Sequence, residues 1–180
     1  MCINISNLRI NTFEKKIEMN HQDILKTIEG LLSNQNNLSK KLYDVCELLH
    51  NEISHYDWVG FYFAESSTQT LHLGPFAGEP TDHKVIPFGK GICGQVAESN
   101  QTFLVEDVQA QNNYIACSIN VKSEIVVPLF VDDKNIGQID IDSNQVNAFS
   151  QKDEELLSEI NKMIGNLLKA NDLDLKSLWV

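Results

Sequence analysis

Basic side chains are scarce in this sequence. Its 180 residues include 14 lysines and arginines against 25 aspartates and glutamates, a formal net charge of −11 at pH 7. Nucleic acids and anionic membrane surfaces are bound mainly through basic side chains, so neither is an expected partner. Long apolar runs are also lacking, because no stretch approaches the roughly 20 residues that span a bilayer. The N-terminal residues show no basic region followed by a sustained apolar region, so no signal peptide is predicted.

Cysteine is sparse as well. Four cysteines are too few for a disulfide framework in a chain of this length: Cys2, Cys46, Cys93 and Cys117. We interpret them as thiols of a reducing compartment and expect a cytoplasmic location.

Metal-binding motifs are missing from the sequence. His72, His83, Cys93 and Cys117 are suitable ligand types, but neither a C-x-x-C nor an H-x-x-x-H spacing occurs. The spacing therefore predicts no metal site.

Apolar residues recur at helical spacing in three segments. The first begins at His21 and is interrupted by "SNQNN"; the second has an apolar stripe running from Leu38 to Ile53, beside which Cys46 is expected in the core. The third follows Ser150, a plausible N-cap with Asp153 three residues later. We assign residues 1–20 to an N-terminal tail, 21–170 to one domain and 171–180 to a C-terminal tail.

Between the second and third helices the apolar period changes to two, which is typical of strands. Four further runs follow "WVGFYFAE": "LHLGPFAG", "TFLVEDV", "SEIVVPLF" and "NIGQIDID". Helices that flank a set of hairpin-connected strands indicate an α+β fold with a central antiparallel sheet.

Paired carboxylates are the most informative polar feature. Asp140 and Asp142 are two residues apart on a predicted strand, so they share one face while Ile139 and Ile141 point to the core. Alone, this pattern favours an edge strand with a solvated acidic face. Glu124 begins the strand expected to pair with it, and three gathered carboxylates repel one another. At least one should then have a raised pKa and, when protonated, donate a hydrogen bond.

Two aromatic residues lie opposite the core face of the first strand. Val59, Phe61 and Phe63 form the core stripe, whereas Trp58 and Tyr62 point the other way. They line a pocket for a small apolar or cationic group, or they pack under inserted loops. The pattern leaves both interpretations open.

Two cysteines are candidates for chemistry. Cys117 lies in a polar loop seven residues before Glu124, and Lys122 could favour its thiolate. Spacing alone still favours an inert Cys117. Cys93 lies in "GKGICG", which lacks the P-loop spacing and is better interpreted as a tight strand-to-helix turn.

Taken together, the motifs resemble those of a known family. "WVGFY", "LGPFAG", "IPFGKGICG", "YIACSINVKSEIVVPL" and "IGQIDIDS" follow one another as in the free methionine-(R)-sulfoxide reductases, which are stand-alone GAF domains. The resemblance covers roughly residues 21–168. It implies a central antiparallel sheet with the N- and C-terminal helices on one face and a loop-covered pocket on the other.

The resemblance also implies a mechanism without a bound cofactor. The cysteine that matches Cys117 attacks the sulfur of free methionine sulfoxide and becomes a sulfenic acid; a resolving cysteine forms a disulfide that thioredoxin reduces. The residues that match Glu124, Asp140 and Asp142 bind the sulfoxide oxygen and the amino group, and those that match Trp58 and Tyr62 surround the methyl end. Family members often form dimers, so a homodimer is possible.

The sequence departs from the family at one position. The usual resolving cysteine would align with Asp82 or His83, neither of which is a thiol. Cys93, Cys2 or an external thiol such as glutathione could resolve Cys117 instead. Two alternatives to the enzyme also remain open: a non-catalytic GAF sensor of a small molecule, and a redox sensor that signals through a Cys93–Cys117 disulfide.

Overall fold

The computed structural model describes residues 19–110, 120–171 and 174–180. Four α-helices and six strands are formed by these residues: α1 His21–Ser33, α2 Leu38–Glu52, β1 Trp58–Glu65, β2 Thr70–Ala77, β3 Val85–Pro87, α3 Gly91–Ser99, β4 Phe103–Val105, β5 Ser123–Val131, β6 Lys134–Ser143 and α4 Gln151–Asn171. The strands form one antiparallel sheet in the order β3-β2-β1-β6-β5-β4. The predicted α+β architecture is confirmed.

Each face of the sheet has its own apolar core. Val59, Phe61 and Phe63 of β1 pack with the buried residues of α1, α2 and α4 on one face. Trp58 and Tyr62 point to the opposite face and pack with α3 and the loops around it. This is the alternation that the period of two predicted, and it places the N- and C-terminal helices together, away from the candidate pocket.

The first two helices begin where the sequence predicted. Asn20 and Asn37 cap α1 and α2, because their side chains accept hydrogen bonds from the backbone N–H groups of Asp23 and Lys40. Cys46 is fully buried on α2, which confirms the core position predicted for it. None of the helices in the described ranges is both long and apolar enough to cross a bilayer.

Short elements were harder to predict. Strand β3 was not predicted and β4 is shorter than the run "TFLVEDV", because three residues give too little alternation to recognise. Near the C-terminus, Leu178 is buried and the Trp179 ring stacks on His72 with centroids 3.6 Å apart. The N–H of Val180 donates to the carbonyl of Leu73. Residues 174–180 thus contact the sheet, while the domain boundaries drawn from the sequence stay a prediction.

A buried polar network fixes the start of α4. The carboxylate of Asp153 accepts hydrogen bonds from the backbone N–H and hydroxyl of Ser150, both at 2.8 Å, and from the hydroxyl of Tyr56 at 3.0 Å. His55 Nε2 lies 3.3 Å from the same carboxylate. Burial by itself would raise the pKa of Asp153, but the hydrogen bonds from His55, Ser150 and Tyr56 outweigh burial and hold this pKa well below its usual range.

Replacing Asp153 by asparagine should therefore destabilise the fold in a pH-dependent way. A carboxylate whose pKa is depressed by folding stabilises the protein above the unfolded-state pKa of about 3.9, and the contribution is lost as the pH falls. We expect Asp153→Asn to lower the free energy of unfolding by about 1–3 kcal/mol at neutral pH, with the difference shrinking below about pH 4. Urea unfolding at pH 7 and pH 3 measures this, with Glu154→Gln as the control; equal losses at both pH values would contradict it.

Candidate functional site

The three predicted carboxylates come together on neighbouring strands. In the sheet, Asp142 lies opposite both Trp58 of β1 and Glu124 of β5, and Asp140 is the next residue on the same face of β6. Glu124, Asp140 and Asp142 are only 2%, 1% and 3% exposed. The edge-strand interpretation is wrong, because β6 lies between β1 and β5 and its acidic face is covered.

Helix α3 brings Cys93 to these acids. The thiol of Cys93, 4% exposed, donates to Asp140 Oδ2 at 3.1 Å, and its sulfur lies 3.9 Å from Glu124 Oε1. The glycines around it serve the turn that was predicted: Gly89 and Gly91 have φ values of +76° and +63°, a conformation that favours glycine. Cys93 is thus in the first turn of a helix that covers the carboxylates.

The pKa values of all three carboxylic acids are raised, whereas the sequence predicted a raised pKa for at least one of them. Burial is the largest cause in each case; it raises the pKa of Asp140 to about 7, against a smaller opposite effect of the hydrogen bond from Cys93. For Glu124 and Asp142, burial comes first and the charge of Asp140 adds to it, so both pKa values lie well above the usual range. Charge repulsion between the acids, which we expected to be the main cause of the raised pKa values, is therefore the smaller cause.

A pocket of about 340 Å³ opens beside Asp142. Trp58 and Tyr62 form its aromatic wall, with ring centroids 6.3 Å apart, and Trp58 also stacks on Phe76. The indole N–H of Trp58 donates to the carbonyl of Glu79 at 3.0 Å, which fixes the loop after β2 at the pocket mouth. Of the two interpretations of these aromatic residues, the structure supports the pocket wall.

Other residues of the pocket were not identified from the sequence. They are Asp57, Glu79, Pro80, Thr81, Asn120, Val121 and Asn144. Asp57 donates its backbone N–H to the carbonyl of Asp142 at 2.9 Å, and its carboxylate accepts the backbone N–H of Asn144 at 2.7 Å. Its place directly before β1, an element paired with the acidic strand, is the signal that could have revealed it.

The remaining cysteines are separated by the sheet or lie outside the described residues. Cys117 and Cys2 are outside the described ranges, so neither the nucleophile assignment nor the Cys93–Cys117 distance is tested. Cys46 belongs to the core on the far face from Cys93. His83, one of the two residues with which the family's resolving cysteine would align, lines a small cavity together with Cys93 and Glu124.

The geometry defines what the site can bind. A protonated carboxyl can donate to an oxygen, an ionised one can hold an ammonium, and the aromatic wall suits a small apolar or cationic end. Among the described residues that line the pocket, none carries a lysine or arginine side chain. The site is therefore suited to a small molecule that presents both an oxygen acceptor and a positive charge.

Comparison with known proteins agrees with this geometry. The model of the GAF domain family matches residues 39–168. The free methionine-R-sulfoxide reductase of Escherichia coli is 33% identical over 152 residues, covering 84% of this chain and 90% of that protein. The Saccharomyces cerevisiae protein of the same name is 37% identical, covering 79% and 82%.

A solved structure gives the same result. The free methionine-R-sulfoxide reductase of Neisseria meningitidis, in complex with its substrate, superposes with a TM-score of 0.78 at 35% identity, covering 83% of this chain and 89% of that one. The family resemblance inferred from the sequence motifs is thereby confirmed. The chain belongs to the free methionine-R-sulfoxide reductases, a family of oxidoreductases built on a GAF domain.

Proposed function

We propose that this protein reduces free methionine-(R)-sulfoxide to methionine, with Cys117 as the nucleophile. The observation that carries the proposal is the buried group of Glu124, Asp140 and Asp142, of which Asp142 lines the aromatic pocket. Family membership supports the substrate, since the relatives are named for it.

Substrate binding uses both the aromatic residues and the buried carboxylates of the site. Trp58 and Tyr62 contact the methyl end, and the sulfur carries partial positive charge that an aromatic face stabilises. Glu124, Asp140 and Asp142 receive the polar end: one carboxylate holds the substrate ammonium and a protonated neighbour donates to the sulfoxide oxygen. The pocket of about 340 Å³ suits one free amino acid.

The protonated carboxyl activates the sulfoxide for attack. The sulfur is a poor electrophile until its oxygen is protonated or strongly hydrogen-bonded, and burial supplies that proton by raising the pKa of Glu124 well above its usual range. Glu124 and Asp142 are the residues we assign to this step; beside them, Cys93 donates to Asp140 and lies near Glu124.

Cys117 then attacks the substrate sulfur as a thiolate. The sulfur–oxygen bond of the substrate breaks, methionine leaves with its sulfur reduced by two electrons, and the oxygen remains on Cys117 as a sulfenic acid. Asn120, three residues after Cys117, lines the pocket. This supports the assignment of Cys117, because three residues span at most about 11 Å.

Recycling needs a second thiol. It attacks the sulfenic acid, releases water and forms a disulfide, which thioredoxin or another thiol reduces. Cys93 is the candidate within the site, whereas Cys46 is excluded because it lies in the core on the opposite face. We propose a cytoplasmic location for this cycle, and a homodimer stays a prediction from the family.

Turnover assays test the proposal. With free methionine-(R)-sulfoxide and a thioredoxin system, we expect repeated turnover; without reductant, we expect one methionine per chain at most. A single burst that no reductant renews would instead indicate a redox sensor, and the absence of any methionine release would favour a non-catalytic binding domain.

Gly60 offers a test of the aromatic wall. A Cβ at Gly60 would overlap the indole ring of Trp58, so Gly60→Ala should displace that ring from the pocket. We expect KM to rise about 2- to 10-fold, which corresponds to the loss of one aromatic contact, with a smaller change in kcat. Steady-state kinetics measure this effect.

Gly30→Ala is the matched control. Gly30 is exposed in α1, and an added Cβ would meet no atom within 4 Å. This variant should keep the wild-type KM and gain up to about 1 kcal/mol of stability. A wild-type KM in Gly60→Ala would contradict the role of Trp58.

A further inference from the structure

Three atoms of metal-ligand type converge beneath α3. The sulfur of Cys93 and one carboxylate oxygen each from Glu124 and Asp140 all lie within 4.8 Å of one another. These residues come from three elements, α3, β5 and β6, and all three are buried. A rigid helix and two paired strands therefore hold the donor atoms together.

A small cavity adjoins the group, and one of its carboxylate oxygens has no hydrogen-bond partner among the described residues. A cavity of about 10 Å³ borders Cys93, Glu124 and His83, which is about the volume of one water molecule and too small for an amino acid. Asp140 Oδ1 is buried and has no hydrogen-bond partner among the described residues.

No ion pair among the described residues neutralises these acids, although Lys90 lines the small cavity beside Glu124. None of the ion pairs formed within residues 19–110, 120–171 and 174–180 includes Glu124, Asp140 or Asp142. Buried carboxylates are costly to ionise unless a cation compensates them. A bound cation would supply that compensation and allow the thiol of Cys93 to ionise as well.

We propose that Cys93, Glu124 and Asp140 form a binding site for a thiophilic divalent cation of the zinc class, which competes with the substrate. One thiolate and two carboxylates are three of the four ligands that zinc takes, and a water or substrate commonly fills the fourth position of such a site. Magnesium and calcium bind oxygen donors and do not select a thiolate.

The sequence alone predicted no metal site, and the proposed cation site differs from that prediction. That prediction rested on local spacing among His72, His83, Cys93 and Cys117. The tertiary structure instead brings Cys93 to Glu124 and Asp140, which are 31 and 47 residues away along the chain. Local spacing in the sequence cannot reveal a group whose members lie so far apart along the chain.

Competition with the substrate follows from shared groups. The carboxyl that donates to the sulfoxide oxygen is ionised when it binds a cation, so it no longer carries the proton. Zn²⁺ should therefore raise the apparent KM for the sulfoxide, and a chelator should reverse the effect. This part rests on the proposed function, whereas the binding site itself does not.

Zn²⁺ binding is tested without turnover, in a Cys2→Ser/Cys117→Ser chain whose remaining thiols are Cys46 and Cys93. Competition with a chromophoric chelator should show one Zn²⁺ per chain, and Co²⁺ should give a thiolate-to-metal charge-transfer band. Adding Cys93→Ser should abolish the band and weaken Zn²⁺ binding at least about tenfold. Asp140→Asn should also weaken binding.

Two controls separate the site from general effects. Cys46→Ala removes a buried thiol on the far face and should leave both metal signals unchanged, and Asp142→Asn removes an acid outside the group and should weaken Zn²⁺ much less than Asp140→Asn. Equal Zn²⁺ affinity with and without Cys93, or no cobalt band in the parent chain, would overturn the proposal. The cobalt band is measured in the parent chain, so the proposal can be tested even if a site variant does not fold.

Discussion

Replacing Cys117 by serine should reduce the turnover of free methionine-(R)-sulfoxide by at least about a thousandfold, because the hydroxyl cannot replace a thiolate as the group that accepts the oxygen. Neither a methionine burst nor a sulfenic acid should form. Both are measurable in one experiment, by quantifying methionine under single-turnover conditions and by trapping the sulfenic acid with a selective reagent.

Cys46→Ala is the matched control for this variant. Cys46 is equally a free thiol, but it is fully buried in the core on the opposite face of the sheet. Its removal should cost some stability and leave the burst intact. If Cys117→Ser kept the wild-type burst, another thiol would be the nucleophile, and Cys93 would be the next candidate.

Replacing Glu124 by glutamine should lower kcat by about 10²- to 10⁴-fold, the range expected for loss of a general acid. The amide keeps the size of the side chain and can still donate a hydrogen bond, but it cannot transfer a proton to the sulfoxide oxygen. Substrate binding should change less than kcat, since Asp140 and Asp142 keep their carboxylates. Steady-state kinetics with the free sulfoxide separate the two parameters.

Asp133→Asn controls for the loss of one negative charge. Asp133 lies in the exposed turn between β5 and β6, at the other end of these strands from Glu124, with a φ of +60° that asparagine also tolerates. Its kcat should equal that of the wild type. A kcat for Glu124→Gln within a few-fold of the control would show that another acid protonates the substrate.

The local features of this protein were predictable because they depend on neighbouring residues. The face shared by Asp140 and Asp142, and the opposite faces of Phe61 and Tyr62, follow from the alternation of side chains along a strand. The start of α4 directly after Ser150 follows from the hydrogen bonds that Ser150 and Asp153 exchange over three residues. The family motifs added the assignment of Cys117, which spacing alone did not favour.

The sequence by itself thus determined every strand except β3, as well as the acidic pair and the aromatic pair. Only the tertiary structure decided that β6 lies inside the sheet, that α3 places Cys93 against Asp140, and that burial is the main cause of the raised pKa values of the acids. The reason is physical: side-chain direction is set by the local backbone, whereas burial and strand order depend on residues distant in the chain. The sequence pattern of Asp140 and Asp142 alone favours a solvated edge strand. The fold covers both carboxylates and thereby makes them part of an acidic binding site.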